Sequence, residues 1–156
     1  MNPQNFFIVS LSDQPQLLDK LVEQQWQVWG YDDPNDLRAF FAKELTDNTA
    51  LPKTWGLLNE QHTLIAAVSL SLDEMGTRQP KAHNPWLGYL YVHPDYRGQG
   101  LAKKLTQHAV QAAQAMGYPS VYLYASDERP RYEKWGWQPL DTFQFQGEIV
   151  TVMVNP

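Results

Sequence analysis

The chain has 156 residues, 43% of them hydrophobic, and a formal net charge of -5 with a pI near 5.2. That size suits one domain over residues 1–156 with its own core, and 17 acidic against 12 basic side chains exclude a general nucleic-acid binder, which needs a basic face for phosphates. The absence of cysteine removes disulfides, a thiolate nucleophile and a cysteine-ligated metal site.

Phe6 to Leu11 reads as a first strand, and Ser12-Asp13 followed by Pro15 supplies the cap and proline that open a helix. Leu17, Leu18, Leu21, Val22, Trp26 and Trp29 recur at helical spacing until Gly30. Asp33-Pro34 opens a second helix with Leu37, Phe40, Phe41 and Leu45 on its inner face. Trp55 to Asn59 and Thr63 to Leu72 form a hairpin across Glu60-Gln61, and the polar stretch Asp73 to Pro85 is a long loop. Leu87 to Val92 is the next strand. A helix follows from about Gly100 to Met116, its stripe Leu101, Leu105, Ala109, Ala112 and Met116, ended by Gly117. Ser120 to Ala125 is a strand and Arg129 to Trp135 a short helix closed by Gly136. Gln138 to Phe145 and Glu148 to Val154 make a terminal pair turning at Gln146-Gly147. The order β-α-α-β-β-β-α-β-α-β-β predicts a three-layer α/β fold on a mixed sheet, with only the strand-helix-strand unit around 87–125 required to be parallel. No run of about 18 apolar residues is present to cross a bilayer, and MNPQNFFIVSL has no basic leader region, so a cytoplasmic protein without a membrane partner is expected.

Function concentrates in YLYVHPDYRGQGLAKKL, residues 89–105. Pro94 ends the strand because it cannot donate to a ladder. Gly98 and Gly100 then strip side chains from the start of a helix, where unpaired backbone N–H groups and the positive end of the helix dipole attract anions, phosphates above all. A P-loop fails for want of G-K-[ST], and the third glycine of G-x-G-x-x-G would fall on Lys103. Two glycines before a helix also serve as nothing more than a tight turn.

The run Val92, Pro94, Arg97, Gly98, Gly100, Ala102 spells V-x-P-x-x-R-G-x-G-x-A, which resembles the acetyl-CoA motif of the GNAT superfamily of N-acetyltransferases, [QR]-x-x-G-x-[GA]. Further on, VYLYASDERPRYEKWGWQPL, residues 121–140, is similar to that family's later strand-helix block ending Y-E-K-x-G-[FW]. The resemblance implies a GNAT-type three-layer fold: a mixed, mostly antiparallel seven-stranded sheet with helices on both faces. It also implies acetyl-CoA as co-substrate. Its pyrophosphate would meet the amides of Gly98, Gln99, Gly100, Leu101 and Ala102, with Arg97 adding charge, while its pantetheine arm would meet Leu90, Tyr91 and Val92. Ser126, where the family often has asparagine, would face the same arm.

Acetyl transfer to an amine needs an unprotonated amine, oxyanion stabilisation and a proton for the departing thiolate. Tyr132 matches the family's general acid. The oxyanion would lie against backbone N–H at about Leu90 to Val92. A base is harder to name, since WLGYLYVH carries no carboxylate; Asp73, Glu74 and His83 are candidates, each competing with an ordinary role as a polar loop residue. Four histidines without H-x-x-x-H spacing offer no metal site. Trp29, Tyr31 and Tyr89 are candidates for an aromatic acceptor pocket, against the alternative that Trp26 and Trp29 are core. The expectation is an N-acetyltransferase acting directly on a primary amine of a small molecule or peptide, as monomer or homodimer. A non-catalytic acyl-CoA-binding domain of the same fold is the second reading.

Overall fold

The computed structural model describes residues 5–29, 33–72, 83–145 and 147–155. Its strands are β1 (Phe7–Ser10), β2 (Lys53–Leu58), β3 (Leu64–Ser71), β4 (Trp86–Val92), β5 (Tyr122–Ala125), β6 (Gln138–Phe145) and β7 (Glu148–Val154). Its helices are α1 (Leu18–Trp29), entered through a 3-10 turn at Pro15–Leu17, then α2 (Pro34–Thr46), α3 (Leu101–Ala115) and α4 (Arg129–Lys134). The strands form one sheet in the order β1-β2-β3-β4-β5-β7-β6, and every neighbouring pair is antiparallel except β4 with β5. The parallel pair is the one the strand-helix-strand unit requires, because α3 carries the chain back across the sheet.

Helices cover both faces. On one, the 3-10 turn, α1 and α2 bury Leu17, Leu21, Val22, Leu37 and Phe41 against Leu58 and Ala67. On the other, α3 lays Leu101, Leu105, Ala109 and Ala113 over Ile65, Val68, Leu70, Leu87, Leu123 and Met153, and Tyr132 and Trp137 close that core. Leu105 is fully buried, so its truncation to alanine would cost about 2–5 kcal/mol. Gly117, at φ 97, ends α3 in the left-handed conformation that lets Tyr118 N donate back to Ala113 O at 3.0 Å.

Three expected faces differ in detail. Along α1 the buried stripe passes through Gln25, fully enclosed, whereas Trp26 is 45% exposed and is not core. Along α2, Glu44 is buried and Leu45 is 39% exposed. On α3 the stripe keeps to i+4 steps and takes Ala113, leaving Ala112 and Met116 half-buried. The first two have one cause: each buried polar side chain meets backbone groups contributed by another element. Glu44 Oε1 accepts from Thr54 N at 2.7 Å and its Oε2 from Ser12 N at 3.3 Å, and Gln25 Nε2 donates to Tyr89 O at 3.1 Å.

Candidate active site

The sheet opens where its one parallel pair ends. β4 and β5 are in register only at Trp86 and Tyr122, with Tyr122 N donating to Pro85 O at 3.0 Å. Beyond that point β4 stays with β3 as far as Val92, and β5 stays with β7 as far as Ala125, so the two strands run on without pairing each other. A wedge results, with its apex at Trp86 and its mouth between Val92 and Ala125.

A bulge shapes the β4 side of this wedge. The β3–β4 register shifts between Ala67 and Ser69, where their partners Tyr91 and Gly88 stand three apart, and Tyr89 within that interval has φ 50. A two-for-one bulge with a left-handed residue bends a strand and strengthens its twist. The Tyr89 ring is gripped by Phe40 and Phe41 of α2, both with ring centroids at 5.4 Å.

At the mouth, His93 accepts from Asp95 N through Nδ1 at 3.1 Å, and Pro94–Tyr96 makes one 3-10 turn. Arg97 folds back, its Nε donating to Val92 O at 2.9 Å and its guanidinium lying 5.9 Å from the centre of the Tyr91 ring. Gly98 and Gly100 both adopt left-handed φ, 79 and 78, which L side chains resist, and a Cβ at either would meet nothing within 4 Å. Gly100 caps α3 without any side-chain hydrogen bond, and the first turn holds no acidic residue. The start of a fifteen-residue helix thus presents its amides to an open space, the physical requirement for a phosphate seat. Gln99 is exposed here, Ala102 half-buried, and Leu101 turns its side chain into the core.

Across the mouth, Ser126 N and Oγ both donate to Glu128 Oε2, at 3.2 and 3.1 Å. Glu128 was not singled out by the sequence; an acidic residue just after a strand reads as a cap until the fold turns it back. Tyr132, one turn along, is 5% exposed, with the rings of Trp135 and Trp137 at 5.4 and 6.1 Å and the Arg131 guanidinium 5.3 Å away. Burial, aided by the Glu128 charge, raises its phenol above the ordinary value of 10.0, and Arg131 opposes the rise without cancelling it.

On the α1/α2 face the wedge has aromatic banks. Tyr89 and Phe40 stand on one side. On the other, Trp86 stacks on Tyr124 at 4.5 Å and Tyr124 meets Phe143 at 5.3 Å. His83, a candidate base from sequence, lies 4.6 Å from the Tyr122 ring, at the apex end. Tyr122 and Tyr124 alternate with the core-facing Leu123, the period-two pattern of a strand covered on both faces. Tyr31, Asp73 and Glu74 lie outside the described residues, as does the side chain of Trp29. Among the described residues no cluster of His, Asp and Glu could hold a metal ion, and no helix is long and apolar enough to cross a membrane.

Comparison with known proteins agrees with this geometry. Residues 16–137 match the sequence model of the Acetyltransferase (GNAT) family. No curated protein matches the sequence. Among solved structures, an acetyltransferase of the GNAT family from Streptococcus pneumoniae shares 16% identity at a TM-score of 0.71, over 97% of this chain and 99% of that one. A mutant spermidine N-acetyltransferase from Vibrio cholerae shares 17% at 0.69, over 96% and 92%. The NatC complex bound to Gag peptide and CoA contains a chain that shares 16% at 0.72, over 97% and 98%. With the family match covering most of its length and the expected seven-stranded mixed sheet in place, the chain belongs to the GNAT family of acetyltransferases.

Proposed function

We propose that the protein transfers the acetyl group of acetyl-CoA directly to a primary amine of a small molecule or peptide. The observation that carries this reading is the coincidence of the open wedge between β4 and β5 with an uncapped, glycine-led helix start at its mouth. The amides from Gly98 to Ala102 suit the pyrophosphate, helped by the Arg97 charge, and the edge of β4 from Leu90 to Val92 that β5 leaves without a partner suits the amides of the pantetheine arm, with Ser126 across from it. The thioester then reaches towards the apex, and the acceptor enters from the α1/α2 face between the two aromatic banks. Tyr89 and Tyr124 in those banks favour an amine carrying an apolar body.

The free amine attacks the thioester carbonyl, and the carbonyl oxygen gains negative charge opposite the β4 amides. Collapse of that intermediate breaks the carbon–sulfur bond, the Tyr132 hydroxyl gives its proton to the leaving thiolate, and the proton that the acylated nitrogen sheds passes to water and, through solvent, restores the phenol. A phenol held above its usual range stays protonated at neutral pH, which is the state this role demands. The acceptor class is also in keeping with neighbours whose names include a spermidine N-acetyltransferase and a complex bound to a peptide and CoA.

The absence of a carboxylate from β4 favours a second reading, an acyl-CoA-binding domain without turnover. Release of free CoA from acetyl-CoA, followed across a panel of small and peptide amines, separates the two. Amine-dependent release that falls in Tyr132→Phe is expected; tight acetyl-CoA binding with no release from any amine would leave the binding domain as the function.

A further inference from the structure

We propose that Gln25 is a positioning residue for the acetyl-transfer site, its side-chain amide pinning the Tyr89 carbonyl and thereby aiming the β4 amide that follows. This inference rests on the acetyl-transfer function proposed above. Gln25 sits in the middle of α1, three residues after Val22 and four after Leu21, on the stripe that faces the sheet, and it is fully buried while the neighbouring Trp26 is 45% exposed. Burial of apolar surface alone would favour the reverse, the indole inward and the amide in water. Inside, the glutamine reaches a residue 64 positions away, its Nε2 donating to Tyr89 O at 3.1 Å.

The contacted carbonyl is not an ordinary strand group. Tyr89 has φ 50 at the bulge of β4. The conformation is one that a bulky residue adopts only when its surroundings enforce it. Phe40 and Phe41 hold its ring, and Gln25 holds its peptide. Because the peptide unit is planar and trans, the Tyr89 C=O and the Leu90 N–H point in opposite directions. A carbonyl drawn towards α1 therefore aims the Leu90 N–H away from α1, to the side of the sheet occupied by α3 and its glycine-led start. Leu90 itself packs on that side. Its amide is the first of the strand donors proposed for the oxyanion, so the hydrogen bond from Gln25 sets the direction of a donor that Gln25 does not itself touch.

Gln25→Met keeps the length of the side chain and removes the donor. Its kcat is expected to fall about tenfold to a hundredfold, the scale for misaiming an oxyanion donor, with KM for acetyl-CoA changed less than about twofold because the phosphate seat is untouched. Gln25→Glu adds a pH signature: burial and the facing Tyr89 carbonyl favour its protonated form, which can donate, whereas its carboxylate cannot, so its kcat relative to Gln25→Met should fall as the pH rises through its ionisation. Should Gln25→Met fail to fold, Gln25→Glu carries the same comparison against the parent. An amide NMR spectrum, with and without CoA, provides a readout independent of turnover, and the Leu90 N–H resonance should move in Gln25→Met, and in Gln25→Glu once its carboxyl ionises. A kcat within about twofold of the parent, or an unmoved Leu90 resonance, overturns the role. A parent that turns over no amine sinks the proposed function instead, and the Leu90 resonance still reports whether Gln25 sets the bulge.

Discussion

Tyr132 combines two constraints that usually conflict, a polar hydroxyl and a place in the core. Removing only the hydroxyl leaves the packing with Trp135 and Trp137 intact, so Tyr132→Phe is expected to lower kcat about a hundredfold or more at nearly constant KM for acetyl-CoA, measured by CoA release. Its titration also bears on stability. The folded phenol lies above 10.0, so its contribution is complete below that value and is lost as pH rises through the folded value, where the unfolded chain has already ionised. Unfolding followed at alkaline pH should therefore show a decline in the parent that is smaller in Tyr132→Phe. Glu128 raises the same phenol, and Glu128→Gln should shift the alkaline limb of kcat to lower pH while leaving Ser126 an acceptor. Gly100 poses a different question, since a Cβ there meets no atom within 4 Å yet φ is 78. Gly100→Ala should thus cost about 1 kcal/mol in stability through backbone strain alone and weaken acetyl-CoA binding by calorimetry, as the loop relaxes from the geometry that aims its amides.

At the scale of elements, helices and strands were legible because their periodicities are local. β6 and β7 occur at the residues expected, α3 and α4 end at their glycines, and the strand before the glycine loop begins one residue earlier than its pattern indicated. The inner faces of α1 and α2 were legible only in part. A helix shows which residues share a side but not which polar one finds a partner there, and Gln25 and Glu44 took places expected of Trp26 and Leu45. Glu44 ties α2 to the amides of Ser12 and Thr54, and burial raises its carboxyl above 4.5 despite both bonds. The raised value means that its contribution to stability is greatest below 4.5 and is lost as pH rises through the folded value. Glu44→Gln leaves one oxygen for two donors and sets an NH2 against an N–H, so thermal unfolding should report a loss of about 1–3 kcal/mol, the cost of one unpaired buried amide.

For the whole molecule, the decisive feature is a sheet that fails to close. Hydrogen exchange should find the β4 segment from Leu90 to Val92 less protected than β3, which is paired on both sides, and acetyl-CoA should slow the exchange of that segment and of Gly98 to Ala102. Unchanged exchange at both segments under saturating acetyl-CoA would remove the pantetheine and pyrophosphate from these positions. The sequence by itself determined the order of elements, the parallel unit and the anion-seeking loop, because turn residues, hydrophobic period and glycine spacing act over a few neighbours along the chain. Only the tertiary structure decided where β4 and β5 part, that Tyr89 bends the strand at that place, and that Gln25, Glu44 and Glu128 turn inward. Those outcomes depend on hydrogen bonds and ring contacts between elements distant in sequence, or on a chain reversal that local pattern does not specify.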